Sequence, residues 1–264
     1  MRVARLVVAA FMTATPDAIE GSRDPSARWF FAQSAEIRRG STKTSRPATR
    51  SRSSPLLTRE TPLLLDGPCG QLEALHLDLP EARGLALVCH PNPIQGGTML
   101  NKVVSTLQRS ARDSGYTTLR FNYRGVGASA GASDMREGEV DDAEAAADWL
   151  LAQHPGLPLT LLGFSFGGFV VASLAARLEA RGIAVQKVFM IAPAVMRLGA
   201  DFVLPSHGQI TLIQPEQDEV IEPQRVFDWS AAQARAHELL KVAECGHFFH
   251  GKLTDLKDLL LPRL

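Results

Sequence analysis

The chain is poor in cysteine, has no surplus of either charge and contains no long apolar run. Its three cysteines, Cys69, Cys89 and Cys245, are far apart, odd in number and in no CxxC pair, which argues against both a disulfide framework and a structural zinc site. A reducing, cytoplasmic setting is therefore expected. Lys plus Arg and Asp plus Glu both total 28, so nothing in the overall charge points to nucleic acid as a partner. No apolar stretch approaches the roughly 18 to 20 residues of a transmembrane helix, and no membrane span is expected. There is no internal repeat.

What is present is enough for one large α/β domain: 264 residues, 45% of them apolar. The charge is unevenly placed, with 11 Lys or Arg against 5 Asp or Glu in residues 1–60 and 17 against 23 in the rest. Residues 37–57, IRRGSTKTSRPATRSRSSPLL, are rich in Ser, Thr, Arg and Pro without apolar periodicity, a composition that predicts disorder. The start, MRVARLVVAAFMTATPDA, weakly resembles a secretory or transit segment, which leaves export as the alternative to a cytoplasmic location. Residues 1–58 are read as a basic, disordered extension dispensable for chemistry, and 59–264 as the folded domain.

From Glu60 onward, strand-like and helix-like patterns alternate. TPLLLD and QLEALHLDL flank the turn GPCG and predict a β-hairpin. GLALVCH (84–90), YTTLRFNY, LPLTLLGFS, VQKVFMIAP, QITLIQP and HELLKVAE read as strands. Between and after them, NKVVSTLQRSARDSG, EVDDAEAAADWLLAQ, FGGFVVASLAARL, PQRVFDWSAAQA and LTDLKDLLL read as helices. In the second of these, Val140, Ala143, Ala147 and Leu150 share one face. The pattern predicts an α/β fold: a mostly parallel central sheet with helices on both faces, begun by an antiparallel hairpin, with its sites at the strand carboxyl ends.

GFSFGG (163–168) falls where a strand turns into a helix. A serine there sits on a strained turn whose neighbours must lack bulk, and the turn lifts its Oγ above the sheet. The helix that follows aims its amino end at any oxyanion formed at that oxygen. Ser165 is the expected nucleophile; the bland alternative is a small residue in a Gly-rich turn. Such a hydroxyl needs a base and a carboxylate that orients the base. After the strand ending near Gln214, EQDEVI offers Asp218, with Glu216 in reserve. AECGHFFHGK offers His247 as the base, with His250 as competitor. Phe166 is expected to supply one oxyanion N–H. For the other, HPNPIQGG (90–97) offers only His90 and Asn92, because proline has no N–H, and Asn92 is expected since it is better placed beyond the strand end. His90 is read as structural or as an unlikely metal ligand.

Four segments in order, HPNPIQGG, RFNYRGVGAS (120–129), GFSFGG and GHFFHGKL, resemble the α/β-hydrolase superfamily, in particular its small lidless bacterial hydrolases. The resemblance covers nearly all of the chain beyond the basic amino-terminal segment. It implies the fold, the triad Ser165, Asp218 and His247 in that chain order, and oxyanion donors at Asn92 and Phe166. Many relatives carry aspartate where this chain has Asn122, in a loop read as structural. Only AVMRLGADFVLPSHG separates two of the strands, too little for a helical cap, so an open site is expected. The expected reaction is hydrolysis of a small-molecule carboxylic ester or thioester, with no cofactor or metal required. A catalytically silent binding protein, an amidase or peptidase, and an acyltransferase are the alternatives.

Overall fold

The computed structural model describes residues 59–199 and 201–264; the basic extension expected over 1–58 lies outside the described residues. The expected hairpin is β1 (Thr61–Gly67) and β2 (Gly70–Leu77). The chain continues as β3 (Gly84–Cys89), α1 (Lys102–Asp113), β4 (Tyr116–Phe121), α2 (Glu137–Gln153), β5 (Leu159–Phe164) and α3 (Phe166–Ala180). It ends with β6 (Val185–Ile191), β7 (Gln209–Pro215), α4 (Pro223–Ala232), β8 (Glu238–Val242) and α5 (Leu253–Leu260). The strands form one sheet in the order β1-β2-β4-β3-β5-β6-β7-β8. β2 is antiparallel to both neighbours, and every later pairing is parallel.

Alternate residues of the central strands feed opposite faces, as the two-residue strand period requires. Leu85, Leu87 and Cys89 of β3 face the layer that holds α2, α3 and α4, with Val140, Ala143, Ala147 and Leu150 all buried there. Ala86 and Val88 face the opposite layer, with Val103 and Leu107 of α1 and Leu256 of α5. Both faces are covered, and β3, β4 and β5 are buried along their whole length. The strands therefore read as apolar runs rather than as alternation.

α2 begins at Glu137, earlier than its apolar periodicity indicates. The Asp134 carboxylate accepts the N–H groups of Arg136 and Gly138, and the Glu139 carboxylate accepts that of Arg136. These side chains satisfy amides that open a helix turn before its apolar stripe starts. The link from β6 to β7 carries one short 3-10 turn, Val195–Arg197, and no inserted helical domain among the described residues. No described helix is long and apolar enough to cross a membrane.

Candidate active site

Ser165 joins β5 to α3 with φ 56° and ψ −114°, a left-handed φ that costs a non-glycine residue about 1–3 kcal/mol. Backbone bonds hold it there. Its N–H donates to Ile191 O (2.8 Å), and its carbonyl accepts from Gly168 N (2.9 Å) and Ala194 N (3.0 Å). The flanking glycines serve close approach. A Cβ on Gly163 would overlap the Gly167 carbonyl, and one on Gly167 would overlap the carbonyls of Cys89 and His90. One on Gly168 would press on Pro193. Larger residues at these positions would push α3 off β3 and β5.

The loops after β7 and β8 bring Asp218 and His247 to this serine. His247 Nε2 lies 3.0 Å from Ser165 Oγ, and its Nδ1 lies 2.8 Å from Asp218 Oδ2 and 3.0 Å from Oδ1. The three residues are only 6%, 7% and 2% exposed, in the order Ser165, Asp218, His247, so solvent weakens this hydrogen-bond chain little. An ionised carboxylate can only accept. Nδ1 of a neutral His247 therefore carries the proton, and Nε2 is left to accept the serine hydroxyl proton.

Asp218 is tied down on every side. Its Oδ1 accepts from Val220 N (2.9 Å) and Ile221 N (2.7 Å), and its Oδ2 from Gln214 Nε2 (3.1 Å). Burial by itself would raise its pKa; the bonds from His247, Ile221 and Val220 outweigh this and hold it below the ordinary carboxylate range. Glu219 places the imidazole from the other end, accepting the His247 backbone N–H at 3.0 Å. A Cβ on Gly246 would collide with that carboxylate. Glu216 is exposed and contributes only its backbone N–H, to Val242 O. His250 is exposed too, and makes an aromatic contact with Phe248 rather than a bond to Ser165 or Asp218. The structure thus brings together Ser165, Asp218 and His247 and leaves both reserves outside.

Phe166 is the first residue of α3, so its N–H has no partner within the helix and stands at the positive end of the helix dipole. The HPNPIQGG loop runs against the same point, since Gly167 abuts the Cys89 and His90 carbonyls. Within it the Asn92 side chain accepts from Ile94 N, and the Asn92 carbonyl accepts from Gln95 N and Gly97 N. The Asn92 N–H bonds to none of the described residues. His90 has a different task. Its Nδ1 donates to Pro91 O (2.7 Å) and its Nε2 accepts from Tyr123 N (3.1 Å), locking the end of β3 to the end of β4. Burial pushes its pKa down to about 3.

The RFNYRGVGAS segment holds this corner rigid. Arg120 pairs with Glu60 (2.5 Å) and Arg124 with the buried Asp142 (2.8 Å). Ser129 Oγ accepts from Glu73 N (2.9 Å) and donates to Asn122 O (2.7 Å). Asn122 accepts from Met99 N and donates to the Glu73 carboxylate, each at 2.8 Å. An amide suits that position because a second carboxylate would repel Glu73.

Around the site the strand-end loops expose apolar side chains. Ile94 is 69% exposed, Met196 48%, Val220 45% and Phe248 40%. Each stands one or two residues from Asn92, Ala194, Asp218 or His247. Phe164 and Phe248 also pack on the His247 ring, both with centroids 5.0 Å away.

Comparison with known proteins agrees with this architecture. A family model described as the alpha/beta hydrolase fold matches residues 94–209, which include Ser165. A solved α/β serine hydrolase without a lid from Xanthomonas campestris is 40% identical, with a TM-score of 0.70 over 77% of this chain and 92% of that one. An alpha-beta serine hydrolase homologue from Coxiella burnetii is 34% identical, with a TM-score of 0.72 over 77% and 97%. An uncharacterized protein of Rickettsia prowazekii is 35% identical over 203 residues, 73% of this chain and 84% of that protein. Fold, the Ser165 turn and relatives agree: the chain belongs to the α/β-hydrolase family.

Proposed function

We propose that this hydrolase cleaves a carboxylic ester or thioester through an acyl-enzyme on Ser165. The observation that carries the reading is the buried chain of hydrogen bonds from Ser165 Oγ through His247 to Asp218. In the first step His247 Nε2 takes the hydroxyl proton as Oγ attacks the substrate carbonyl carbon. Asp218 holds the imidazole in the correct tautomer and stabilises the imidazolium that forms. The oxyanion of the tetrahedral intermediate is stabilised by the N–H groups of Phe166 and Asn92. Such a donor contributes about 2.7–4 kcal/mol in a preorganised site. Collapse of the intermediate breaks the bond to the leaving alcohol or thiol, which takes the proton from His247. Water then attacks the acyl-enzyme with His247 again as base, releasing the acid and restoring Ser165.

Alkoxide and thiolate leave more readily than amide nitrogen, which favours esters and thioesters as substrates. Among the described residues no cap is inserted between β6 and β7, and the loops after the strands expose apolar side chains, which fits acyl groups that enter from an open face. All the residues assigned here lie within 59–264, the segment we assign as the hydrolase domain. Hydrolysis of p-nitrophenyl acetate and butyrate, with a burst of p-nitrophenol stoichiometric with enzyme, tests the scheme. A burst lost in Ser165→Ala supports it. A folded wild-type protein that turns over neither ester, nor a thioester panel, contradicts it.

A further inference from the structure

Arg197 sits in the turn that follows β6, and its setting calls for an anion. Ala194 in that turn donates its N–H to the Ser165 carbonyl (3.0 Å), and the Arg197 N–H donates to Ala194 O (3.0 Å). The turn is therefore bonded to the nucleophile residue itself. The guanidinium carbon lies 5.0 Å from the centre of the Phe166 ring, and Nη1 donates to Met135 O (2.9 Å). An aromatic face and a carbonyl thus orient a side chain that is otherwise exposed.

Among the described residues no carboxylate lies within ion-pair distance of Arg197, nor of Arg83, which stands over the Tyr116 ring at the same 5.0 Å; what sets Arg197 apart is its place in the turn bonded to Ser165. A guanidinium has five N–H groups, and one bond to Met135 leaves a fork matched to two oxygens of a carboxylate or phosphate. The Phe166 ring and the Met135 carbonyl hold the guanidinium in place, which lessens the entropy lost when an anion binds.

We infer that Arg197 determines specificity by binding an oxyanion, a carboxylate or phosphate, carried by the substrate of the Ser165 site. The enzyme then selects acidic esters or thioesters over neutral ones of the same size. This inference rests on the hydrolase reading above, with the anion on either the acyl group or the leaving group.

Two substrate pairs separate those sources. One sets monoethyl succinate against the near-isosteric ethyl 4-methylpentanoate; the other sets butyryl-4′-phosphopantetheine against butyryl-pantetheine. In at least one pair the wild type should favour the charged member about tenfold or more in kcat/KM. Arg197→Met should remove that preference through KM, with Arg197→Lys in between and added salt eroding it. No charge preference in either pair, or a preference unchanged in Arg197→Met, overturns the inference. Turnover of the neutral members reports the hydrolase reading separately. Binding to Ser165→Ala, measured by calorimetry with monoethyl succinate and 4′-phosphopantetheine, keeps the anion anchor testable without turnover. Adding Arg197→Met should weaken one of them about tenfold, and equal affinity for both overturns the anchor.

Discussion

His90 and His247 stand at the carboxyl ends of β3 and β8, and both are buried and bonded through both ring nitrogens. Their partners differ in kind. His90 lies between a backbone carbonyl and a backbone N–H, groups that neither titrate nor react, so its proton has one place to be. His247 lies between a carboxylate, which can only accept from its Nδ1, and a hydroxyl whose proton its Nε2 can accept. Burial and bonding alone make a histidine a structural brace; a hydroxyl on one nitrogen and a carboxylate on the other are what the proposed role of base requires.

The contrast is broken most sharply at the reactive end. Ser165→Ala and His247→Ala should each lower kcat for ester hydrolysis by about 10⁶-fold, as expected for residues that act as one unit. Their melting temperatures should change little beside that loss. Asp218→Asn should cost about 10⁴-fold, because an amide at that position can favour the wrong tautomer of His247. Steady-state assays paired with thermal melts check all three.

His90 should show the reverse pattern, with stability lost before chemistry. His90→Ala leaves the Pro91 carbonyl and the Tyr123 N–H without their partner and opens a cavity, for a cost of about 2–5 kcal/mol. His90→Gln, which keeps one donor and one acceptor, should lose less. The proton balance gives a second test. The folded pKa of His90 is lowered to about 3, while the unfolded chain keeps a value near 6.5. Between those limits the unfolded state binds the proton and the native state does not. Stability from this group is therefore complete above pH of about 6.5 and falls as pH drops, by at most about 1.4 kcal/mol per pH unit. Denaturant titrations from pH 7 to 4 should give a steeper decline for the wild type than for His90→Gln.

The smallest effect should come from Glu219, which positions His247 through its backbone and touches no reacting atom. Glu219→Gln keeps an acceptor and should cost less than tenfold in kcat/KM; Glu219→Ala should cost more. A loss in Glu219→Ala near that of Asp218→Asn would move Glu219 into the chemistry.

Much of this arrangement is legible in the linear chain because it is local. Apolar runs mark β3, β5 and β6. Gly115, with φ 86°, stops α1 where the periodicity ends, and the spacing of Gly163, Ser165 and Gly167 announces the turn. What is not legible depends on distant partners. Nothing in the HPNP segment shows that His90 bonds an N–H just past β4 rather than a metal or a substrate. Choosing among Glu216, Asp218 and Glu219 turns on loop geometry. The short Asp218 side chain reaches Val220 N and Ile221 N while its other oxygen faces His247, a local bonding pattern to which aspartate is suited. The support from Glu219 and the early start of α2 escape the periodicity because side-chain acceptors on loops create them.

The most direct test is covalent labelling by a fluorophosphonate, read by intact mass on the wild type, Ser165→Ala, His247→Ala and His250→Ala. The account predicts one adduct per chain on the wild type and on His250→Ala, located at Ser165, with none on Ser165→Ala and labelling slowed by orders of magnitude on His247→Ala. A folded wild-type protein that does not label, or one that labels equally without His247, would contradict it.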